Sequence, residues 1–407
     1  MVSRNYPDGD SPRTMFVVFQ TANKANGGVE SLTQLIESGA WRGLIVTQRI
    51  TSVNERWWRA GLRVDLWSIP YQVGTSFIRA ELRVRIMWLF SLLRNNWLTW
   101  KLVRREKIAV IHCNDPAPFW HVVIGAWLSR VPVLLNLRDT KRDLHSFPVE
   151  RYQKRFRWCA AVLVLSREMA SFYESAVGIQ FLKSISLRID SIYSIVATHK
   201  MKPLDLLERN RLRKELGIRE TEFAIGFVAA FNDMKNQLDF VNNTGTRLKQ
   251  FPDVRVHFVG DFRPETDDYA RNCELAVLEN GYQASFSFAG YSSEVDRWYQ
   301  ALDVLVVPTR HEGLARCMIE ALSSGLPVVS FDVCSAKEIL EPTDCGVVVS
   351  QGDYENLFDS LMVLAKDPLR RKEMGNRGRQ LAEQKFSAEE VVKSYRALYS
   401  RVAVSKD

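Results

Sequence analysis

The chain is 407 residues long, with 46% hydrophobic residues, 25% charged residues and a formal net charge of +8. This composition matches an average folded protein and excludes disordered and fibrous classes, and six cysteines without a C-x-x-C pair argue against zinc and disulfide frameworks. No apolar run reaches the roughly 18–20 residues that span a bilayer, and the N-terminus lacks the apolar segment of a signal peptide, so we expect a cytoplasmic protein with reduced thiols.

Short apolar stretches rich in Val, Ile and Phe alternate with helical stretches, which predicts βαβ units and parallel sheets. In the first half the predicted strands are Met15–Gln20, Gly43–Thr47, Ala109–Cys113, Val131–Leu137 and Ala161–Ser166. In the second half they are Ala224–Ala230, Val254–Gly260, Phe286–Ala289, Val304–Pro308, Pro327–Phe331 and Gly346–Val349. The fold class is therefore α/β, with two doubly wound, Rossmann-like domains, because one core rarely serves more than about 250–300 residues.

Hydrophobic patterning lapses between Thr198 and Asn210, which predicts a linker near residue 200. The expected organisation is a flexible N-terminus (1–12), an N-terminal domain (13–200) and a C-terminal domain (201–385). An amphipathic last helix within 386–407 is expected to pack back on the N-terminal domain.

Positive charge is concentrated in the first half, where residues 1–200 carry 28 Lys and Arg against 15 Asp and Glu. The region 78–107 combines eight of these cations with tryptophan and leucine side chains. That mixture suits a helix lying on anionic lipid, and it also suits a domain helix with its apolar side in the core and its arginines in solvent. Nucleic acid is not an expected partner, because helix-turn-helix, zinc-finger and RNP-like signatures are absent.

Two carboxylates, Glu312 and Glu320, flank a predicted helix start. The segment Asp303–Thr309 is typical of a buried strand, and Leu314–Ser324 is typical of a helix that ends at Gly325. Ligands of doubly wound sheets bind at the carboxyl ends of the strands, where this turn lies. Either glutamate alone could be a helix cap or a solvated surface residue. Together, the two carboxylates could accept hydrogen bonds from hydroxyl groups at two positions along one polyhydroxyl ligand.

The segment that begins at Glu312, EGLARCMIEALSSGLPVV, resembles the E-x7-E signature of the retaining glycosyltransferase family 4 (group 1). The stretches Val256–Asp261, Phe288–Gly290 and Gly346–Asp353 are similar to the nucleotide-binding domain of that family. The resemblance covers residues 211–400 well and the N-terminal half more loosely. It implies the GT-B fold, in which an acceptor-binding domain and a nucleotide-sugar-binding domain face a cleft.

The resemblance also implies roles for donor-binding residues. Glu320 would bond the ribose and Glu312 the hydroxyls of the donor sugar. Lys235 would neutralise the departing diphosphate, where negative charge builds up in the transition state. The remaining donor-binding residues that it implies are Gly27, Gly28, Gly313, Leu314, Ala315, Arg316, Gly260 and Asp261.

One position departs from the pattern of the family. The family usually has an arginine where this chain has Ala230, so one of two phosphate-binding cations is absent. Arg263, Arg310 and Arg316 are candidates to supply the missing charge, and weaker donor binding is the alternative.

On the acceptor side, Arg138 and Asp139 stand where the family commonly has a histidine. Arg138 would contact sugar hydroxyls or an acceptor phosphate and belongs, with Glu312 and Lys235, to the predicted catalytic set. Asp139 would orient Arg138, or the two would form a structural ion pair. The further acceptor-side candidates are His112, Asn114 and Asp115, although a histidine in a strand is more commonly a core residue.

The sequence thus predicts a retaining, hexosyltransferase-type glycosyltransferase that uses a UDP- or GDP-linked sugar. The acceptor would be a saccharide or a lipid-linked saccharide in bacterial cell-surface polysaccharide or lipopolysaccharide synthesis, with a location in the cytoplasm or at the inner face of the plasma membrane. No cofactor or metal ion is expected, because front-face attack needs none. The alternatives are a sugar-nucleotide epimerase and a basic protein that binds nucleic acid or anionic surfaces.

Overall fold

A computed structural model describes residues 11–19, 27–39, 41–67, 82–140 and 147–404. The chain divides into unit 1, which is Met1–Ile195 with Ala388–Asp407, and unit 2, which is Val196–Ser387. Most of the predicted flexible N-terminus, residues 1–10, lies outside the described residues, as do residues 78–81 of the basic region. No helix in the described part of the chain is long and apolar enough to cross a membrane.

Within its described residues, unit 1 contains a seven-stranded parallel sheet in the order β3-β2-β1-β4-β5-β6-β7. The strands are β1 (Thr14–Val17), β2 (Gly43–Thr47), β3 (Arg63–Leu66), β4 (Val110–Cys113), β5 (Val133–Asn136), β6 (Ala161–Val164) and β7 (Ile189–Ser191). The helices before the linker are α1 (Gly27–Gly39), α2 (Ser52–Arg59), α3 (Leu82–Arg105), α4 (Val123–Leu128), α5 (Val149–Phe156), α6 (Arg167–Val177) and α7 (Ile179–Ser184).

The central strands of unit 1 are buried at every position, as in a parallel sheet that has helices on both faces. The sequence prediction missed β3 and β7. These strands lie at the two edges of the sheet and are partly exposed, so neither contains the continuous apolar run from which the other strands were predicted.

Unit 2 contains a six-stranded parallel sheet in the order β10-β9-β8-β11-β12-β13. The strands are β8 (Phe223–Val228), β9 (Val254–Val259), β10 (Phe286–Gly290), β11 (Val304–Val307), β12 (Val328–Phe331) and β13 (Gly346–Val349). The helices are α8 (Leu206–Glu215), α9 (Gln237–Leu248), α10 (Asp268–Glu279), α11 (Val295–Ala301), α12 (Arg316–Ser323), α13 (Ala336–Leu340), α14 (Tyr354–Lys366) and α15 (Pro368–Lys385).

The strand order reverses once in each sheet, between β1 and β4 in unit 1 and between β8 and β11 in unit 2. Chain connections leave such a pair of strands in opposite directions, which opens a crevice at their carboxyl ends. In unit 2 the loop after β8 contains Lys235 and the loop after β11 contains Glu312. The fold therefore brings two predicted donor-binding residues to the switch point of one sheet.

The C-terminal helix α16 (Ala388–Val404) completes the core of unit 1. The buried side chains of α16 recur every three or four residues, so one face of the helix is apolar. They are Val391, Val392, Tyr395, Leu398, Tyr399 and Val402, and they join the cluster that contains residues of α1, β1 and β2. The predicted packing of the last helix on the N-terminal domain is confirmed.

Candidate active site

In unit 2, two of the predicted donor-binding residues form an ion pair. Lys235 Nζ donates a hydrogen bond to Glu312 Oε1, and the two side chains are 27% and 13% exposed. The backbone N–H of Lys235 donates to Asn232 Oδ1 at 3.1 Å, which fixes the turn after β8. Each charge compensates the other in this half-buried position, where a lone charge would be costly. Two residues that the sequence predicted separately are therefore in contact.

Three hydrogen bonds hold the loop between β11 and α12. The Asn236 amide donates to Pro308 O at 3.0 Å, and the Gln351 amide donates to Thr309 O at 3.2 Å. The Ser335 hydroxyl donates to Gly313 O at 2.8 Å. Sequence reasoning missed these three residues, because a polar residue after a strand gives no indication of which distant carbonyl it will bind.

Helix α12 starts later than predicted, at Arg316 rather than Leu314. Glu320 therefore lies about one turn into the helix, whereas the predicted start at Leu314 would put it nearly two turns in. Leu314 and Ala315 are buried at the helix start, and Ala315 at the N-cap position has no side-chain oxygen to cap the helix. A helix start of this kind is suited to an anionic ligand, which the backbone N–H groups can bind.

The carboxylate of Glu320 is held at both oxygens. Arg316 Nη2 donates to Oε1 at 2.8 Å, and the hydroxyl of Tyr299 donates to Oε2 at 3.1 Å. Burial, together with the nearby Glu320 carboxylate, raises the pKa of Tyr299 well above its usual value, so the phenol keeps the proton that it donates. The carboxylate is thus fixed in orientation, and Tyr299 is a further supporting residue that the sequence did not indicate.

The turn beside Ala230 is tight. A Cβ atom at Gly260 would lie 1.9 Å from the carbonyl oxygen of Ala229, so a larger residue would require this backbone to move. Asp261, a predicted donor-binding residue, accepts a hydrogen bond from Arg263 at 2.8 Å. The ends of β8 and β9 therefore approach each other closely at the predicted phosphate position.

All three arginines that could replace the missing family arginine form ion pairs within unit 2. Arg263 pairs with Asp261, and Arg316 pairs with Glu320. Arg310 pairs with Asp239 at 2.6 Å. That one of these arginines supplies the charge missing at Ala230 stays a prediction.

An aromatic stack lies at the same edge of the sheet in unit 2. The rings of Phe262 and Phe288 are 4.2 Å apart and nearly parallel, at 8°, and Phe231 packs 5.0 Å from Phe262. Phe262 and Phe288 are only half buried. Sequence reasoning did not single out these residues, because their chain positions do not show that three rings meet where three strands end.

In unit 1, two of the predicted acceptor-side residues, Asn114 and Arg138, are connected to each other and to the start of α1. Arg138 donates to Asn114 Oδ1 at 2.9 Å and to Asn114 O at 3.3 Å. The Asn114 amide reaches Gly28 O at 3.4 Å, and Gly27 and Gly28 begin α1. Residues 20–26, which precede these two predicted donor-binding glycines, lie outside the described residues. The structure thus joins the ends of β4 and β5 to the start of α1.

Two aspartates adjoin this group. Burial raises the pKa of Asp115 to about 6, although the Ala117 N–H and Arg138 act in the opposite direction. The main-chain carbonyl of Asp139 accepts a hydrogen bond from the Tyr173 hydroxyl at 2.6 Å. Nowhere in the described part of the chain do three or more His, Cys, Asp or Glu side chains form a group that could hold a metal ion.

His112 lies in the core of unit 1 rather than at an open edge. Its Nδ1 shares a hydrogen bond of 2.5 Å with the Tyr399 hydroxyl, and its ring stacks on Tyr395 with centroids 6.0 Å apart. Burial lowers the pKa of His112 to about 3, with Arg138 adding to the effect. The structure therefore gives His112 the contacts of a core histidine, and α16 supplies its partners.

Acidification from pH 7.5 to 5 is expected to lower the melting temperature by several degrees. The pKa values of His112 and His121 are lowered to about 3 and 4 by burial, whereas in the unfolded chain both groups titrate near 6.5. Between these values the unfolded chain binds more protons, so the free energy of unfolding decreases as the pH falls from about 6.5. Thermal unfolding monitored across this pH range tests the expectation.

The double variant His112→Phe/Tyr399→Phe is the matched control, because it removes both hydrogen-bonding partners and keeps their approximate shapes. Its melting temperature should depend less steeply on pH than that of the parent. Asp115, with its pKa raised to about 6, acts in the opposite direction but is present in both proteins. An identical pH dependence in both proteins would contradict the assignment to His112.

Two family descriptions match the chain. The model of the family described as Glycosyl transferases group 1 matches residues 208–381, and that of Glycosyltransferase Family 4 matches residues 51–185. The first match contains Lys235, Gly260, Glu312 and Glu320. The second contains Asn114 and Arg138, so each unit is matched separately.

Similar proteins include two bacterial sequences. A Bacillus subtilis (strain 168) protein named "Putative glycosyltransferase EpsD" is 25% identical over 74% of this chain and 78% of its own length. The capsular polysaccharide biosynthesis glycosyltransferase CapM of Staphylococcus aureus is 21% identical over 77% of this chain and 82% of its own length.

The fold is similar to that of a solved structure, Anabaena Alr3699/HepE in complex with UDP and glucose. The TM-score is 0.76 with 16% identity, over 96% of this chain and 99% of that chain. The predicted α/β architecture with two Rossmann-like domains is therefore confirmed.

Proposed function

Because the chain belongs to the group 1 glycosyltransferases, also classed as glycosyltransferase family 4, we propose that it transfers a sugar from a nucleotide-sugar donor with retention of configuration. The observation that carries this proposal is the pair of Lys235 and Glu312 at the switch point of the sheet in unit 2, beside the fixed carboxylate of Glu320. A cation for the departing diphosphate and two acceptors for hydroxyl groups stand within two neighbouring loops and the helix that follows them.

The donor is a UDP- or GDP-linked sugar in this proposal. Glu312 accepts hydrogen bonds from the sugar hydroxyls and Glu320 from the ribose, since carboxylates form strong, charge-assisted hydrogen bonds with hydroxyls. The backbone N–H groups from Gly313 to Arg316, with Gly260 and Asp261, surround the phosphates. The half-buried rings of Phe262 and Phe288 offer a flat apolar surface for the base. A complex of the structurally similar Anabaena protein with UDP and glucose supports a donor of this class.

Transfer proceeds by front-face attack in this proposal. The acceptor hydroxyl approaches from the side on which the nucleoside diphosphate departs, and the leaving phosphate takes the proton of that hydroxyl. Lys235 stabilises the negative charge that develops on the phosphate, so the scheme needs no metal ion. Arg138, held by Asn114, binds the acceptor, and the start of α1 at Gly27 and Gly28 allows close approach of the backbone to a ligand.

The acceptor is a saccharide or a lipid-linked saccharide in bacterial cell-surface polysaccharide or lipopolysaccharide synthesis. The relative CapM, named for capsular polysaccharide biosynthesis, supports this type of product. We place the enzyme in the cytoplasm, with peripheral contact to the inner face of the plasma membrane through residues 78–107.

The proposal is tested by incubating the protein with UDP-, GDP- and ADP-sugars and a mixture of saccharide acceptors. We expect release of the nucleoside diphosphate from one donor class, with no loss of rate in the presence of a metal chelator. The anomeric configuration of the product, read by NMR, should equal that of the donor.

The same assay separates the alternatives. Conversion of the donor into an epimer, without release of nucleoside diphosphate, would show that the protein is an epimerase and not a transferase. Failure to bind or turn over any donor, together with tight binding to nucleic acid, would instead support the basic binding protein.

A further inference from the structure

Helix α3 has its apolar side outward. The large apolar side chains on its surface recur at helical spacing along one side, and Phe90 and Leu93 are 70% and 58% exposed. The exposed set is Leu82, Ile86, Met87, Leu89, Phe90, Leu93 and Trp97. Among the described side chains from Leu82 to Trp100, the buried ones are Ser91, Asn95, Asn96 and Thr99, which are polar, whereas the last turn buries Leu102 and Val103. Before its last turn, α3 therefore has the reverse of the arrangement expected for a surface helix of a globular domain.

Polar contacts fix α3 in this rotation. The Asn96 amide donates to Trp120 O at 2.8 Å, and Asn96 Oδ1 accepts from the backbone N–H of Gly125 at 2.9 Å. Asn95 lies 3.3 Å from His121 Nδ1. A Cβ atom at Gly125 would lie 2.1 Å from Asn96 O, so α3 and α4 pack at their closest there. The outward apolar side therefore follows from buried hydrogen bonds and cannot turn inward without breaking them.

The neighbouring helix extends the apolar surface. On α4, which packs against α3, Ile124, Trp127 and Leu128 are exposed. The exposed Trp158 packs edge-on against Trp127, with ring centroids 6.2 Å apart. The surface formed by the exposed side chains of α3, α4 and Trp158 is termed the α3–α4 surface below. Large apolar side chains exposed on two adjacent helices indicate an interaction site.

The charge of α3 favours lipid over a protein partner. The helix contains six Arg and Lys and no Asp or Glu between Leu82 and Arg105. Lys101 Nζ lies 5.3 Å from the ring of Trp97, and Arg104 lies 4.4 Å from that of Trp100. Cations beside tryptophan and leucine suit the boundary between anionic head groups and acyl chains, whereas the centre of a protein interface is depleted of charge.

We propose that the α3–α4 surface inserts into an anionic lipid leaflet, with α3 lying in the plane of the interface. From Leu82 to Trp97 the helix presents an apolar strip about 22 Å long. As the crossover before β4, α3 runs back from the carboxyl edge of the sheet, so the apolar strip begins at the edge where Asn114 and Arg138 lie.

This placement deepens the proposed function, on which it rests for the nature of the site in unit 1. Membrane insertion at the edge that holds Arg138 selects a lipid-anchored acceptor over a saccharide dissolved in the cytoplasm. The acyl anchor would remain in the leaflet while the head group reaches the Asn114–Arg138 group.

Co-sedimentation of the full chain with vesicles tests insertion without any donor or acceptor. We expect binding to vesicles of phosphatidylcholine with 30% phosphatidylglycerol, and at least tenfold weaker binding to phosphatidylcholine alone, as expected for several interfacial cations. Tryptophan emission should shift to the blue on binding. Because no sugar transfer is measured, a failure here leaves the nucleoside diphosphate assay of the proposed function unaffected.

Variants of exposed side chains identify the surface that binds. The double variant Phe90→Asp/Leu93→Asp should bind anionic vesicles at least tenfold more weakly than the parent, and Arg83→Gln/Lys101→Gln roughly tenfold to thirtyfold more weakly. The matched control is Leu207→Asp/Leu369→Asp, which adds the same charge at equally exposed leucines of unit 2 and should bind as the parent does.

Three outcomes would overturn the proposal. The first is equal binding of the parent, the Phe90→Asp/Leu93→Asp variant and the control to anionic vesicles, and the second is no binding by any of them. The third is a parent that forms a dimer by light scattering and becomes monomeric with Phe90→Asp/Leu93→Asp, since a second copy of the chain would then cover the surface.

Discussion

Replacing Lys235 with alanine is expected to lower turnover by about 10²–10³-fold at saturating donor. Removing one preorganised donor or charge from the site of a developing anion has costs of this order. Lys235 contacts Glu312 in unit 2, so its ammonium lies beside the carboxylate that we propose binds the donor sugar. The measurement is kcat for release of the nucleoside diphosphate, with Lys235→Arg retaining more activity than Lys235→Ala.

The control for this variant is Lys249→Ala. Lys249 is exposed and donates to the carbonyl of Asn280, so its loss should leave turnover unchanged. Removing Lys235 also leaves the mostly buried Glu312 without this partner, and the melting temperature must therefore be compared with that of the parent. Near-normal turnover in a folded Lys235→Ala variant would exclude the proposed role.

Substitutions of Glu312 and Glu320 are expected to affect the binding of two ligands differently. Glu320→Gln should weaken binding of the nucleoside diphosphate and of the intact nucleotide sugar by about 10–100-fold alike, because a hydrogen bond to a charged group contributes about 1.5–3 kcal/mol. Glu312→Gln should weaken binding of the nucleotide sugar by a similar factor and leave the nucleoside diphosphate almost unaffected. Isothermal titration with both ligands measures the two effects.

Glu373→Gln on the exposed side of α15 provides the control, since it removes one charge from unit 2 at a residue outside the candidate site. Equal loss of nucleoside diphosphate binding in Glu312→Gln and Glu320→Gln would reject the division of roles. A loss for Glu320→Gln that is confined to the nucleotide sugar would reverse the two assignments.

Much of the fold was predictable from the sequence because parallel strands buried on both faces are continuous apolar runs. The strand β11 and the end of α12 shortly before Gly325, which has a φ of 72°, were predicted on that basis and on helix-ending signals. The edge strand β3 was missed because an exposed strand needs no such run. The start of α12 was placed two residues early, because Leu314 and Ala315 are good helix formers whose conformation is set instead by the loop.

The candidate site was predictable only as separate residues. Resemblance suggested Lys235 and Glu312, but their contact depends on strand order, which no local pattern encodes. The partner of His112 is Tyr399, 287 positions away in the chain. For α3, the composition of the helix was compatible with either side facing inward, and buried bonds of Asn96 to α4 and to the segment before it decide the outcome.

The discontinuity of unit 1 has a consequence for how the protein is made. Its core needs side chains from α16, which the ribosome adds only after every residue of unit 2 has been synthesised. Unit 2 can therefore fold first, and unit 1 must wait with part of its apolar interior uncovered. A stop codon placed before Ala388 would yield a chain with a complete unit 2 and with a unit 1 that is prone to aggregate.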